Sequence, residues 1–132
     1  MSLRRLIIGR CWLARDASVG RCHPRLWGTF PRVLGHYSRD VGLFPLEAAI
    51  WKMTGLTAET FGIDRRGAVR EGYFADLTVF DPAAVKDRAT YADPVEPAQG
   101  IDAVIVNGHI AYSGTAYSDD RRGRVLQRRI GA

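Results

Sequence analysis

Apolar residues recur at helical spacing through the first half of the chain and in short alternating runs through the second. Val33, Leu34, Tyr37 and Val41 repeat every three or four residues, which predicts a helix over about 32–41. Pro24 and Pro31 bracket residues 25–30, so that stretch reads as a loop leading into the helix, with Pro31 in its first turn. Gly42 is placed to stop it. Leu46, Ala49, Ile50 and Met53 define a second amphipathic helix over about 46–54, opened by Pro45 and closed by Gly55. A third, short helix is expected at 57–62, with Thr57 as its N-cap and Gly62 just past its end. Residues 1–22 show no sustained period.

Beyond Gly67 the period shortens. Residues 68–69, 77–80, 104–106 and 110–112 are short runs rich in β-branched and aromatic side chains, which predict strands. Asn107-Gly108 lies between the last two and predicts a tight hairpin, because both central residues of a type I′ turn need positive φ. Residues 81–101 carry Pro82, Pro94 and Pro97 and read as a long surface connection. The tail from 113 to 132 is polar and arginine-rich, and no internal repeat is present. The expected fold is α+β, helices first and then a small antiparallel sheet with at least one uncovered edge. Trp27, Phe30, Phe44 and Trp51 are expected in the core.

Length and charge narrow this picture. The chain has 132 residues, 46% hydrophobic and 25% charged, the profile of one globular unit. It is too short for a (β/α)₈ barrel, which needs about 250 residues. No apolar run reaches the roughly 18–20 residues of a membrane span, so a soluble, cytoplasmic chain is expected. The net charge of +5 is local: residues 1–25 hold six arginines against Asp16 alone, and the remainder is neutral. Those arginines are not interleaved with aromatics as a single-strand groove requires, which argues against nucleic acid as a partner. The same segment is acid-poor like a transit peptide, yet it is also poor in serine, and Leu6-Ile7-Ile8 is too short for a secretory core.

The strings LEAAIWKMTGLTAETFGIDRRGAVREGYFADLTVFDP and IDAVIVNGHIAY resemble the carboxyl-terminal end of the amidohydrolase superfamily. The upstream HPRLWGTFPRVLGHYSR resembles its N-acyl-D-amino-acid deacylase (D-aminoacylase) branch, and the likeness runs over residues 23–112. The resemblance implies a zinc hydrolase that cleaves the amide of N-acyl-D-amino acids, with metal ligands on a barrel and a small β-sandwich beside it. It divides the chain into an atypical basic segment at 1–22, the last barrel helices at 23–62, and a sandwich portion with a polar tail at 63–132.

The same resemblance exposes a departure. Residues 6–9, LIIG, are the counterpart of the last barrel strand, after which the family continues with Ser-Asp-Gly. Here Arg10-Cys11-Trp12 follows, so Cys11 stands where the family has its catalytic aspartate. The other metal ligands are expected upstream of Met1. The expectation is therefore a carboxyl-terminal fragment, from a truncated gene, a misplaced start or a frameshift. It should be inactive alone and bind no zinc itself, and without the barrel several of its core aromatics, with a helical face that includes Ile50 and Trp51, should be exposed.

Among individual residues, Arg25 in His-Pro-Arg matches a family arginine that binds the substrate α-carboxylate, a task suited to a planar guanidinium. Within an isolated fragment it is instead a solvated loop arginine. His23, His36 and His109 lack the spacing of a helical zinc pair. Cys11 and Cys22, eleven apart with no Cys-x-x-Cys, are ordinary thiols, although Arg10 and Arg21 could favour thiolates. Asp76 is expected in a structural turn at the start of a strand, and Asp81-Pro82 as a strand terminator. Two further functional readings stand beside the fragment: a non-catalytic module that self-associates or binds a barrel-bearing partner chain, and a basic-tailed nucleic-acid binder.

Overall fold

The structure, a computed structural model, describes residues 23–114 and 116–127. The strand expected at 6–9, Cys11 at the position expected for the catalytic aspartate, and Cys22 lie outside the described residues. Helix α1 (Arg25–Arg32) runs directly into a π-helical segment (Val33–Asp40). Helices α2 (Leu46–Met53) and α3 (Gly55–Phe61) follow. Strands β1 (Leu77–Phe80), β2 (Ile101–Val106), β3 (His109–Ser113) and β4 (Ala116–Tyr117) form one antiparallel sheet in chain order.

Helix formation starts earlier than the apolar pattern from Arg32 predicts. Residues 25–30 are helical rather than a loop, and Pro31 lies inside the helix instead of in its first turn. The stretch carries its own helical stripe in Leu26, Trp27, Phe30 and Leu34. Pro31 has no N–H to donate to the Trp27 carbonyl. Two residues later the coil widens to π geometry, with the Val41 N–H reaching His36 O at 2.9 Å. Gly42, at φ 65°, then ends the helix as predicted.

Two helix boundaries also move. Gly55 does not close α2; Thr54 turns the chain at φ −127°, ψ −82°, and Gly55 opens α3. Thr57 is therefore no N-cap. It sits within the first turn of α3, where its hydroxyl donates back to Lys52 O at 2.8 Å. Gly55 is required by contact: a Cβ there would come within 2.9 Å of the Trp51 ring. Gly62, at φ 63°, caps α3 in the left-handed conformation as expected.

In the sheet, Leu77 pairs with Ile105 and Phe80 with Ile101, with a bulge between Val79 and Phe80. Asn107 and Gly108 take φ of 49° and 82°, the two positive values the hairpin needs. Residues 68–69 form no strand. Gly67 turns the chain at φ 80°, and Val69 is exposed with no partner strand among the described residues. The 81–101 connection is tied down more than its prolines suggest, because Lys86 and Gln99 exchange both backbone hydrogen bonds.

The core is where the helical part meets the sheet. Leu34, Ala49, Ile50, Phe80 and Val85 are buried together, and Val33, Phe44, Leu46, Met53 and Ile101 pack around them. The helices thus reach the sheet through Phe80 and the turn after β1. Gly35 makes this possible, since a Cβ there would lie 2.4 Å from Val85 O. Arg39 locks the same junction by donating to Val85 O at 2.8 Å and Pro82 O at 3.2 Å. Two residues expected in the core, Phe30 and Trp51, are instead exposed, at 40% and 49%. Both lie on the helices and are only partly covered by the described residues.

Candidate functional site

Two polar constellations stand out, one at the start of α1 and one between the 63–76 loop and the hairpin. At the first, His23 Nδ1 accepts the Arg25 backbone N–H at 3.1 Å. A backbone N–H can only donate, so Nδ1 is unprotonated and the hydrogen sits on Nε2. Nε2 then donates to Tyr91 Oη at 3.2 Å, with the two rings edge to face at 5.2 Å. Arg25 O accepts the Thr29 hydroxyl at 2.5 Å. The arginine backbone is therefore held on both sides while its side chain stays exposed. One turn on, Arg32 pairs with Asp87 at 3.1 Å, fastening α1 to the loop that carries Tyr91.

The second constellation is buried. Arg66 and Asp76 form an ion pair whose side chains are 9% and 6% exposed. Asp76 Oδ1 also accepts the Asn107 N–H at 2.7 Å, and Arg66 Nη2 donates to Asn107 Oδ1 at 2.7 Å. Asn107 Nδ2 reaches Arg122 O at 2.5 Å, so one hairpin residue joins loop, turn and tail. The Arg66 guanidinium stacks 4.4 Å from the Phe74 ring, and Arg65 lies 4.8 Å from the same ring. Burial, and secondarily Arg124, pushes the Arg66 pKa down from the ordinary guanidinium value. An arginine starts high enough to remain a cation at neutral pH all the same. Every buried polar atom here has a partner. That is the signature of a structural cross-link, and it places Asp76 at the start of β1 as the sequence suggests. Sequence reasoning missed its partners Arg66 and Asn107, because nothing in linear spacing links Asp76 to positions 10 and 31 residues away.

Beside this cross-link an open cleft of about 320 Å³ runs between α3 and the 63–73 loop. Its lining includes Glu59, Arg65, Arg66, Arg70 and Tyr73. Among the described residues, no group of three or more His, Cys, Asp or Glu side chains could hold a metal ion. His23 is committed to its two hydrogen bonds, His36 meets the Tyr37 ring edge to face at 4.9 Å, and His109 is exposed on β3. Nor is any described helix long and apolar enough to cross a membrane.

A small antiparallel sheet led by Gly-x-x-Ala-Asp-Leu and closed by an Asn-Gly hairpin, beside helices entered through His-Pro-Arg, defines a recognisable class. The chain belongs to the amidohydrolase family, which it matches over residues 10–112. Within it the chain is similar to D-aminoacylase from Alcaligenes xylosoxydans xylosoxydans, at 62% identity over 108 residues. That match covers 82% of this chain and 22% of the relative. A crystallised D-aminoacylase superposes with a TM-score of 0.80 at 62% identity, over 82% of this chain and 23% of that one. An N-acyl-D-glutamate deacylase from Bordetella bronchiseptica, crystallised with zinc and a phosphonate mimic of the tetrahedral intermediate, superposes at 0.75 with 47% identity. It is matched over 80% of this chain and 22% of that one. The chain thus spans about a fifth of the length of these relatives.

Proposed function

We propose that this chain is the carboxyl-terminal part of an N-acyl-D-amino-acid deacylase, supplying the last helices of a barrel and part of the small β-sandwich beside it. The observation that carries this reading is 62% identity to a D-aminoacylase, at a TM-score of 0.80, over a fifth of that enzyme. In the complete enzyme the reaction is amide hydrolysis. Water adds to the acyl carbon, the C–N bond breaks, and a carboxylic acid and a free D-amino acid leave.

Among the described residues no group of three or more His, Cys, Asp or Glu side chains could hold a metal ion, and in this reading the zinc is held elsewhere in the complete enzyme. What the chain offers is an anchor. Arg25 has an exposed guanidinium on a backbone held by His23 and Thr29, and it takes the substrate α-carboxylate. Alone, the chain hydrolyses nothing. The exposed apolar side of its helices is the surface on which the metal-bearing part sits.

Complementation tests this. The 132-residue chain should release no D-methionine from N-acetyl-D-methionine, with or without zinc. Co-expressed with the remaining part of the 62%-identical D-aminoacylase, it should restore zinc-dependent release. Arg25→Ala should then raise KM with little change in kcat, the pattern of lost uniform binding. Hydrolysis by the chain alone, or failure to complement with a folded chain, would overturn the proposal.

A further inference from the structure

The cleft between α3 and the 63–73 loop is left unused by the reading above, and its charges are unevenly satisfied. Five charged residues line it: Glu59, Asp64, Arg65, Arg66 and Arg70. Three are already committed. Arg65 lies 3.6 Å from Asp64 and stacks on Phe74, and Arg66 is buried against Asp76. Glu59 and Arg70 remain, one negative and one positive. They line the same cleft, yet make no ion pair with each other or with any other described residue. The Arg70 guanidinium rests 5.9 Å from the Tyr73 ring, and the Tyr73 N–H bonds Arg70 O at 3.2 Å, which fixes the turn carrying both.

Glu59 and Arg70 thus offer a ligand in this cleft one carboxylate and one guanidinium, the complements of an ammonium and a carboxylate. A simple anion would be repelled by Glu59, and a simple cation by Arg70 and Arg65. The ligand is therefore a zwitterion. A volume of about 320 Å³ lies at the small end of ligand sites and suits a single small molecule. Ile63 and Tyr73, both half-buried in the lining, offer an apolar wall for a side chain.

We infer that this cleft binds a free α-amino acid with an apolar side chain, its carboxylate taken by Arg70 and its ammonium by Glu59. Both charges stay in contact with water, so affinity is modest, on the order of millimolar. A free amino acid is also what the proposed deacylation releases, but the cleft needs only the charge pair. Loss of either reading leaves the other standing.

Equilibrium dialysis of the full chain against radiolabelled methionine tests it, and reads binding whatever the state of association. Saturable binding is expected for D- or L-methionine. N-acetyl-methionine, which lacks the ammonium, and the methyl ester, which lacks the carboxylate, should each bind about tenfold more weakly, the worth of one charge-assisted hydrogen bond. Glu59→Arg and Arg70→Glu should each lose about tenfold. The double exchange should recover binding, which a merely structural role would not produce. No saturable binding, equal binding of N-acetyl-methionine or inorganic phosphate, or an exchanged pair that stays inactive would each overturn the inference.

Discussion

Arg66 is a cation with almost no contact with water, and its safety rests on one carboxylate and one amide oxygen. Asp76→Ala would leave that charge uncompensated, a loss of about 3–5 kcal/mol for a broken buried pair. Replacing the whole pair, Arg66→Met with Asp76→Leu, removes both charges together and should cost less than Asp76→Ala alone. Urea midpoints of the two variants check the order, and a larger loss for the double replacement would show that burial of the charges is not what sets the cost. A milder electrostatic case sits on the surface. Arg39 hydrogen-bonds Asp40 at 2.8 Å and holds its carboxyl below the ordinary carboxylate value. Because the folded pKa is lowered, the benefit is present above the ordinary carboxylate pKa and is lost as pH falls through the folded one. Arg39→Gln should return the Asp40 titration to the ordinary range, as followed by carboxyl-carbon NMR.

At the level of elements, the helical part and the sheet are joined at a crossing too close for a side chain. Gly35→Ala places a methyl 2.4 Å from Val85 O, where only a backbone shift relieves the clash. Overpacking of this kind costs about 1–3 kcal/mol. Gly123→Ala, with nothing within 4 Å and a φ outside the left-handed range, should be neutral by the same denaturation assay. Gly108→Ala separates conformation from contact: its surroundings are open, but its φ is 82°. It should cost about 1–2 kcal/mol through backbone strain alone. A neutral Gly108→Ala would show that the hairpin can re-form in another turn type.

Across the whole molecule, the notable fact is what stays uncovered. Leu26, Phe30, Val41, Leu43, Trp51 and Phe61 are all exposed on the helical side. β1 and β4 each present an outer edge with no partner strand among the described residues. Ile50, which the sequence groups with Trp51 on the open face, is in fact buried beside Ala49 and Leu34. An apolar surface of this kind seldom stays bare on a soluble monomer. The purified chain should therefore bind a hydrophobic dye and scatter light as a self-associated species. A dye-free, monodisperse monomer melting cooperatively above about 60 °C would contradict this, since that lies near the top of the usual mesophile range.

The elements themselves were legible from the sequence wherever local physics decides. Helix α2 follows from one apolar stripe, the hairpin from Asn107-Gly108, and the helix stops from Gly42 and Gly62 with their positive φ. The family was legible too, because its motifs are contiguous strings. What failed depended on partners distant in the chain. Residues 68–69 had strand-forming side chains but no strand to pair with, and Thr57 had the chemistry of a cap but lay inside a helix that Thr54 had already begun. Phe30 and Trp51 have core side chains but no covering surface. The pairing of Arg66 with Asp76 and Asn107, the contact of His23 with Tyr91, and the unmatched charges of Glu59 and Arg70 appear only once the loops are folded together. Propensity and turn chemistry act over a few residues and are written in order along the chain. Burial, charge pairing and exposure depend on what arrives from elsewhere, and only the tertiary structure decides them.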